Sequence, residues 1–175
     1  LEKMSMELSQ EPAGSIVTYC IDALDPEAAD QALENIIKNN KCIDILINGV
    51  GGSTIISNPS ARVDELTVDE WQDIINFNLK SMFIFTNSVV PTMKKQGKGK
   101  VVNLASIAGR GFSDISSSAY AAAKGGVIAF TKKTARELGQ FNITVNAIAP
   151  NTTLTERIQP RWQQQSPEAV SYTHL

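Results

Sequence analysis

The sequence predicts an α/β fold built on a parallel sheet with helical crossovers. Short apolar runs of strand type alternate with longer runs of helical period along the 175 residues, which is the pattern of parallel strands joined by helices. The runs "IDILIN" and "KVVNLAS" are apolar with little alternation, as expected of buried strands. With 42% hydrophobic and 19% charged residues, the composition suits one globular domain.

Each element has a local reason. "SIVTYCID" (15–22) reads as the first strand. "DPEAADQALENIIKNN" (25–40) follows as a helix, with Asp25 as N-cap and Pro26 at the first helical position. "IDILIN" (43–48) is the next strand, and "GVGGSTIISNPSARVDEL" (49–66) is a loop. Thr67 and Glu70, three residues on, form a capping box that opens a long helix to about Lys95 in spite of Pro91. The basic cluster "MKKQGKGK" (93–100) reads as a solvated turn. "KVVNLAS" (100–106) is a strand, a Gly/Ser-rich loop follows, and a helix holding "SAYAAAKGG" (118–126) runs to Gly139, which should end it. "ITVNAIAP" (143–150) is the last strand.

Bulk properties exclude several classes. A net charge of −2 and a pI near 5.4 leave no electrostatic footprint for nucleic acid or an anionic membrane. No apolar stretch approaches the length of a membrane span. Cys20 and Cys42 lack metal-like or disulfide-framework spacing and read as reduced packing residues, and no metal site is expected.

Ligands of open parallel sheets bind beyond the carboxyl ends of the strands. Three strands end there in Asn48 with Gly49, Gly51 and Gly52, in Ser106, and in Pro150 with Asn151. Each alone is an ordinary turn former. Together, with Tyr120 and Lys124 opening the next helix, they mark one edge of the sheet. Residues four apart on an alanine-rich helix share a face with Cβ atoms about 5–6 Å apart, so Tyr120 and Lys124 are neighbours, although the spacing alone is a weak motif. Asn78 lies within the helical stripe Trp71, Ile74, Ile75, Leu79, Met82 and Phe83. Its amide must be hydrogen-bonded, since leaving it buried and unpaired costs about 1–3 kcal/mol; it either ties down a neighbouring strand or stands in a site.

In this order, "NGVGG", "NFNLK", "VVNLASIAG", "YAAAK" and "VNAIAP" followed by threonine resemble the short-chain dehydrogenases/reductases over residues 1 to about 158. Within them the chain looks most like the 3-oxoacyl-acyl-carrier-protein reductase group. The resemblance implies a Rossmann-like doubly wound parallel sheet with helices on both faces. It also implies an NAD(P)-dependent oxidoreductase that moves a hydride between a nicotinamide and a ketone or secondary alcohol, with 3-oxoacyl thioesters among the candidate substrates. It assigns catalysis to Asn78, Ser106, Tyr120 and Lys124. Asp22 and Ala23 would contact the adenine, Asn48 and Gly49 would lie beside the adenosine ribose, Lys124 with Tyr120 would meet the nicotinamide ribose, and Pro150, Thr153 and Thr155 the carboxamide. A cationic Lys124 would favour the Tyr120 phenolate, Ser106 would donate to the carbonyl oxygen, and Asn78 would hold a water leading from Lys124 to solvent. The cofactor is NAD or NADP, with NADPH favoured. The implied protein is cytoplasmic, takes a small-molecule substrate, and forms a homodimer or homotetramer through helices 67–95 and 118–138.

The chain also departs from that pattern. Gly49 replaces a usual second Asn, Asn151 replaces a usual Gly, and "GVGGST" is not the G-x-G-x-x-G phosphate loop because Thr54 stands at its last position. The family's first strand, first helix and second strand have no counterpart. Residues 1–170 are therefore expected to be a partial NAD(P)-binding domain, truncated at both ends and with its sheet split between strands 15–22 and 43–48, and residues 171–175 a non-native tail. The alternative is an inactive remnant that acts only through helix-mediated association. Arg110, Arg157 and Arg161 are candidates to meet an anionic acyl carrier or coenzyme A, and His174 is given no role.

Overall fold

The computed structural model describes residues 16–111, 113, 115–151 and 153. Helix α1 (Pro26–Asn40) begins where Asp25 accepts hydrogen bonds from the Glu27 and Ala28 N–H groups at 2.9 and 3.1 Å, and it ends at a left-handed Lys41. The first strand, β1, is Ile45–Asn48. Residues 16–22, expected as a strand, form none. Ile16, Val17 and Thr18 have the propensity, but a strand needs a ladder partner, and no described strand lies beside them; Val17 is 66% exposed.

The long helix is three pieces in one rod: α2 (Val68–Ile75), a π-helical turn (Asn76–Lys80) and α3 (Ser81–Gln96). Both halves of the capping box at its start form, the Glu70 N–H donating to Thr67 Oγ1 and the Thr67 N–H to Glu70 Oε2, each at 3.1 Å. Strand β2 (Gly99–Leu104), helix α4 (Ser118–Leu138) and strand β3 (Ile143–Ile148) follow. Gly139 follows the last residue of α4 but is not left-handed as a terminal glycine usually is: its φ of −56° starts a 3₁₀ turn, Gly139–Phe141, and Asn142 takes the left-handed position at φ 57°.

The sheet is parallel, in the order β1-β2-β3, with Asn48 opposite Asn103 and Leu104 opposite Ile148. Its helices cover one face among the described residues. Leu46, Val101, Ile143 and Val145 point into a core with Val89 and Met93 of α3, Leu138 of α4 and Leu33 of α1. Between them, Ile45 (56% exposed) and Ile47 (65%) point away from it, so "IDILIN" is a one-sided strand and not the fully buried run its composition suggests. Four neutral side chains cross the core beneath the sheet. Asn48 Nδ2 donates to Thr86 Oγ1 (3.0 Å) and to Asn103 Oδ1 (2.8 Å), and Asn103 Nδ2 donates to Thr131 Oγ1 (2.9 Å). Each threonine hydroxyl spends its proton on a carbonyl of its own helix, Met82 or Val127. Both cysteines are free; Cys20 is exposed and so is not a packing residue, while Cys42 Sγ lies 3.4 Å from Asp44 Oδ2. No described helix is long and apolar enough to cross a membrane, and no described cluster could hold a metal ion.

Candidate active site

The carboxyl edge of the sheet is closed by two backbone bonds beyond the ladder. Ala105 N–H donates to the Ile148 carbonyl at 2.8 Å and Ile107 N–H to that of Pro150 at 3.1 Å, which sets Ser106 beside Pro150. Ser106 is extended, and its Oγ caps the 3₁₀ turn Ile107–Arg110 by accepting the Ala108 N–H at 3.2 Å. This turn lies directly on α4. A Cβ at Gly109 would stand 2.6 Å from both the Lys124 carbonyl oxygen and the Gly125 nitrogen.

Helix α4 starts at the same edge because Ser117 accepts the Tyr120 N–H at 3.2 Å. The loop 49–66 is pinned to that start by Ser117 N–H donating to the Pro59 carbonyl (2.8 Å) and Ser60 Oγ to that of Ile115 (2.9 Å). Ala119 and Ala123, both 0% exposed, bury one side of the first turns. Tyr120 and Lys124 follow. Lys124 is 4% exposed, and its Nζ lies 5.7 Å from the centre of the Tyr120 ring and donates to the Leu104 carbonyl at 2.7 Å. No carboxylate pairs with it among the described residues.

Burial lowers the Lys124 pKa from its ordinary 10.5 to about 8, because desolvation penalises the charged form. Tyr120 moves the other way from the sequence expectation. Burial raises it, and the group that opposes the rise is the hydrogen-bonded Ser106 hydroxyl. Lys124 directs its short hydrogen bond to a backbone carbonyl and meets the tyrosine through the ring, so it does not draw out the phenolate here.

Asn78 sits in the π-helical turn, 1% exposed. Its Oδ1 accepts the Gly52 N–H and its Nδ2 donates to the Gly52 carbonyl, both at 2.9 Å, with a further donation to the Ile74 carbonyl at 3.0 Å. Of the two readings of this amide, the observed partner is the backbone of the glycine loop. Gly51, at φ 152°, lies over both groups: a Cβ there would be 2.7 Å from Asn78 Oδ1 and 3.1 Å from Lys124 Nζ. Asn78, Lys124, Tyr120 and Ser106 are thus gathered at one place.

The other expected residues are placed less uniformly. Asn48 ends β1, but both of its side-chain N–H groups are committed inside the protein. Gly49 has open space around it. Asp22 and Ala23 form the turn before α1, where Asp22 Oδ1 accepts the Leu24 N–H. Pro150 borders the pocket described below, Thr153 is exposed, and Thr155, Arg157, Arg161 and His174 lie outside the described residues, as do residues 171–175. Arg110 faces the groove between α4 and β3 and not that pocket.

A pocket of about 160 Å³ opens in front of Ser106 and Tyr120, bordered also by Ser53, Ile107, Ala108, Ser113, Ile115, Ser116, Pro150 and Asn151. Sequence reasoning missed Ser53, Ser116 and the wedge at Gly109; only the glycine after "ASIA" offered a signal for the last.

The structure is a parallel α/β sheet of Rossmann-like type with serine, tyrosine and lysine gathered at its carboxyl edge, where such sheets bind their ligands. The short chain dehydrogenase family model matches residues 1–166, and the chain belongs to that family. It is 34% identical over 148 residues to the 3-oxoacyl-(acyl-carrier-protein) reductase of Thermotoga maritima, covering 83% of this chain and 58% of that one. The crystal structure of a 3-oxoacyl-(acyl-carrier protein) reductase from Brucella melitensis matches with a TM-score of 0.84 at 30% identity, over 98% of this chain and 61% of that one. A Brucella melitensis structure of such a reductase with bound NAD matches at 0.81 and 30%, over 96% and 63%. The chain therefore spans less than two thirds of the length of these relatives.

Proposed function

We propose that this chain carries the catalytic group of an NAD(P)-dependent oxidoreductase that interconverts a ketone and a secondary alcohol. The observation that carries the reading is the buried Lys124, paired with no carboxylate among the described residues, beside Tyr120 and Ser106. A lysine kept at 4% exposure with one protein acceptor has donors to spare, and that donor set fits a ribose diol. The open space at Gly49 fits a dinucleotide along the same edge. When bound, the nicotinamide supplies or accepts the hydride.

The chain's own residues manage the proton and the charge. Ser106 Oγ donates to the substrate oxygen and steadies negative charge as it develops. Tyr120, kept protonated by burial, gives its phenolic proton to that oxygen during reduction. Lys124 binds through its free N–H groups. Its cationic form assists the tyrosine only once it faces the hydroxyl. Asn78 acts through Gly52, holding the loop that passes over Lys124; the water role expected for it is kept as part of this proposal. Asp22, Ala23, Asn48, Pro150, Thr153 and Thr155 remain candidates for the dinucleotide, with Asn48 offering no side-chain N–H.

The likeness to 3-oxoacyl reductases supports a 3-oxoacyl thioester as one substrate; NADPH is kept as the favoured donor, beside the NAD that a similar Brucella melitensis reductase binds. A homo-oligomer through α3 and α4 is supported by Phe83, 50% exposed and edge-on to Phe130 beside a groove of about 320 Å³. The test uses the full-length product of the gene. Ketone-dependent oxidation of NADPH and NADH is measured on a panel that includes acetoacetyl thioesters, with Tyr120→Phe as control. Turnover lost in the variant supports the reading. Cofactor binding without turnover of any ketone leaves the acid role given to Tyr120 without support.

A further inference from the structure

The pocket in front of Ser106 and Tyr120 takes its rim from segments far apart in the chain: Ser53 belongs to loop 49–66, and Ser113, Ile115 and Ser116 to the segment before α4. These two segments are anchored unequally. The loop is held by packing and by hydrogen bonds, since Ile56 is 8% exposed in a cluster with Ile74, Ala119 and Ala123, and both polar groups of Gly52 bond Asn78. The segment before α4 has less to hold it: Ile115 is 73% exposed, and the buried Ser116 hydroxyl has no hydrogen-bond partner. Where packing contributes little, the backbone stays where its hydrogen bonds put it. Two such bonds lend this segment the loop's anchorage, Ser60 Oγ donating to the Ile115 carbonyl at 2.9 Å and Ser117 N–H to that of Pro59 at 2.8 Å. The second is backbone to backbone, so Ser60 supplies the side chain that fixes Ile115. Its own backbone is preset, because Asn58 Oδ1 accepts the Ser60 N–H at 3.1 Å and the next residue, Ala61, is buried.

We propose that Ser60 is a positioning residue for substrate selection: its hydroxyl clamps the Ile115 wall of the pocket to loop 49–66 and so fixes the wall against which a larger ketone is held. This rests on the oxidoreductase reading and deepens it. Ser60 addresses neither the reacting oxygen nor its proton donors, so loss of the clamp acts on binding and not on chemistry. A ketone too small to reach the wall is indifferent to it, whereas one with a longer chain loses a fixed surface. The catalytic helix keeps its own cap, the Tyr120 N–H on Ser117 Oγ at 3.2 Å, when Ser60 is changed.

The test uses the full-length protein with Ser60→Ala and Ser60→Thr, on the largest and the smallest ketone that the wild type turns over in a panel from acetone to acetoacetyl thioesters. Ser60→Ala raises KM for the larger ketone about three- to tenfold, the effect of one neutral hydrogen bond, while kcat and the KM of the smaller ketone change by less than about twofold. Ser60→Thr keeps the hydroxyl and stays within about twofold of the wild type throughout. Independently of turnover, hydrogen exchange of the Ser117 N–H without ligand is about three- to tenfold faster in Ser60→Ala. Unchanged exchange overturns the clamp, and unchanged KM values overturn its part in selection. A kcat that falls equally for both ketones overturns the proposal by placing the effect at Tyr120, and a Ser60→Thr as impaired as Ser60→Ala overturns it by showing that the hydroxyl is not what matters. Turnover of no ketone by the wild type removes the reductase reading and the selection role together, and the exchange result then decides the clamp alone.

Discussion

Replacing Gly109 with alanine should loosen the whole catalytic edge. The added Cβ would lie 2.6 Å from the Lys124 carbonyl oxygen and from the Gly125 nitrogen, where ordinary contact needs about 3.5 Å. Backbone atoms cannot rotate away as a side chain would. The turn carrying Ser106 and the helix carrying Tyr120 and Lys124 must therefore part by roughly 1 Å, a shift that costs about 100-fold in rate when it misaligns reacting groups. Overpacking of this kind destabilises by about 1–3 kcal/mol, and at about 2–4 °C per kcal/mol for a chain of this size the melting temperature should fall by roughly 2–12 °C. Gly139→Ala is the matched control. It has nothing within 4 Å and an α-helical φ of −56°, so it should hold or raise stability by up to about 1 kcal/mol. Differential scanning calorimetry and ketone-dependent NAD(P)H oxidation read the two effects. If Gly109→Ala melts and turns over like the wild type, the turn is not wedged against α4 and the geometric argument fails.

Three further outcomes follow from the same geometry. Asn78→Ala strands both polar groups of Gly52 and should cost about 2–4 kcal/mol in a urea titration; a loss below about 1 kcal/mol would show that the loop repairs itself. Lys124 has a folded pKa of about 8, below its ordinary 10.5. Both states hold the proton below pH 8, so the fold there bears the full penalty of the buried charge, and the penalty is relieved as pH rises from 8 towards 10. The wild type should therefore gain stability relative to Lys124→Met between pH 7 and pH 9.5, and a constant difference would contradict the burial argument. Thr67→Ala removes the capping box and should cost about 1 kcal/mol, read as a shift in the urea midpoint.

What could be read from the sequence was local chemistry. Asp25 before Pro26, and Thr67 three residues before Glu70, cap their helices as expected because a cap depends on a few consecutive residues. Tyr120 and Lys124 come together because an alanine-rich helix fixes residues four apart. Elements whose form depends on distant partners were hidden. "SIVTYCID" has strand propensity but no ladder, and Ile45 and Ile47 look core-like yet face away from the helices. A π-helical turn has no residue signature, so nothing in "NFNLK" announced that Asn78 would pair with Gly52, 26 residues earlier. Gly139 looks like a left-handed stop, but the chain continues one more turn and uses Asn142 instead. Ser116 lies in a run of three serines that a single sequence cannot tell apart.

The row Thr86, Asn48, Asn103 and Thr131 acts as an indexing pin for the sheet. Sliding β1 by one residue against β2 would turn Asn48 to the open face, and sliding it by two would set its amide against Val101 or Ala105 with nothing to bond. Each stranded amide would cost about 1–3 kcal/mol, so misaligned pairings are penalised before the rest of the core is counted. The pin contains no ionisable group, and neither acid nor salt should release it. The alignment that brings Ser106 and the glycine loop to one edge is thereby decoupled from the titration of Lys124 a few residues away, and the site can change its charge without losing its frame.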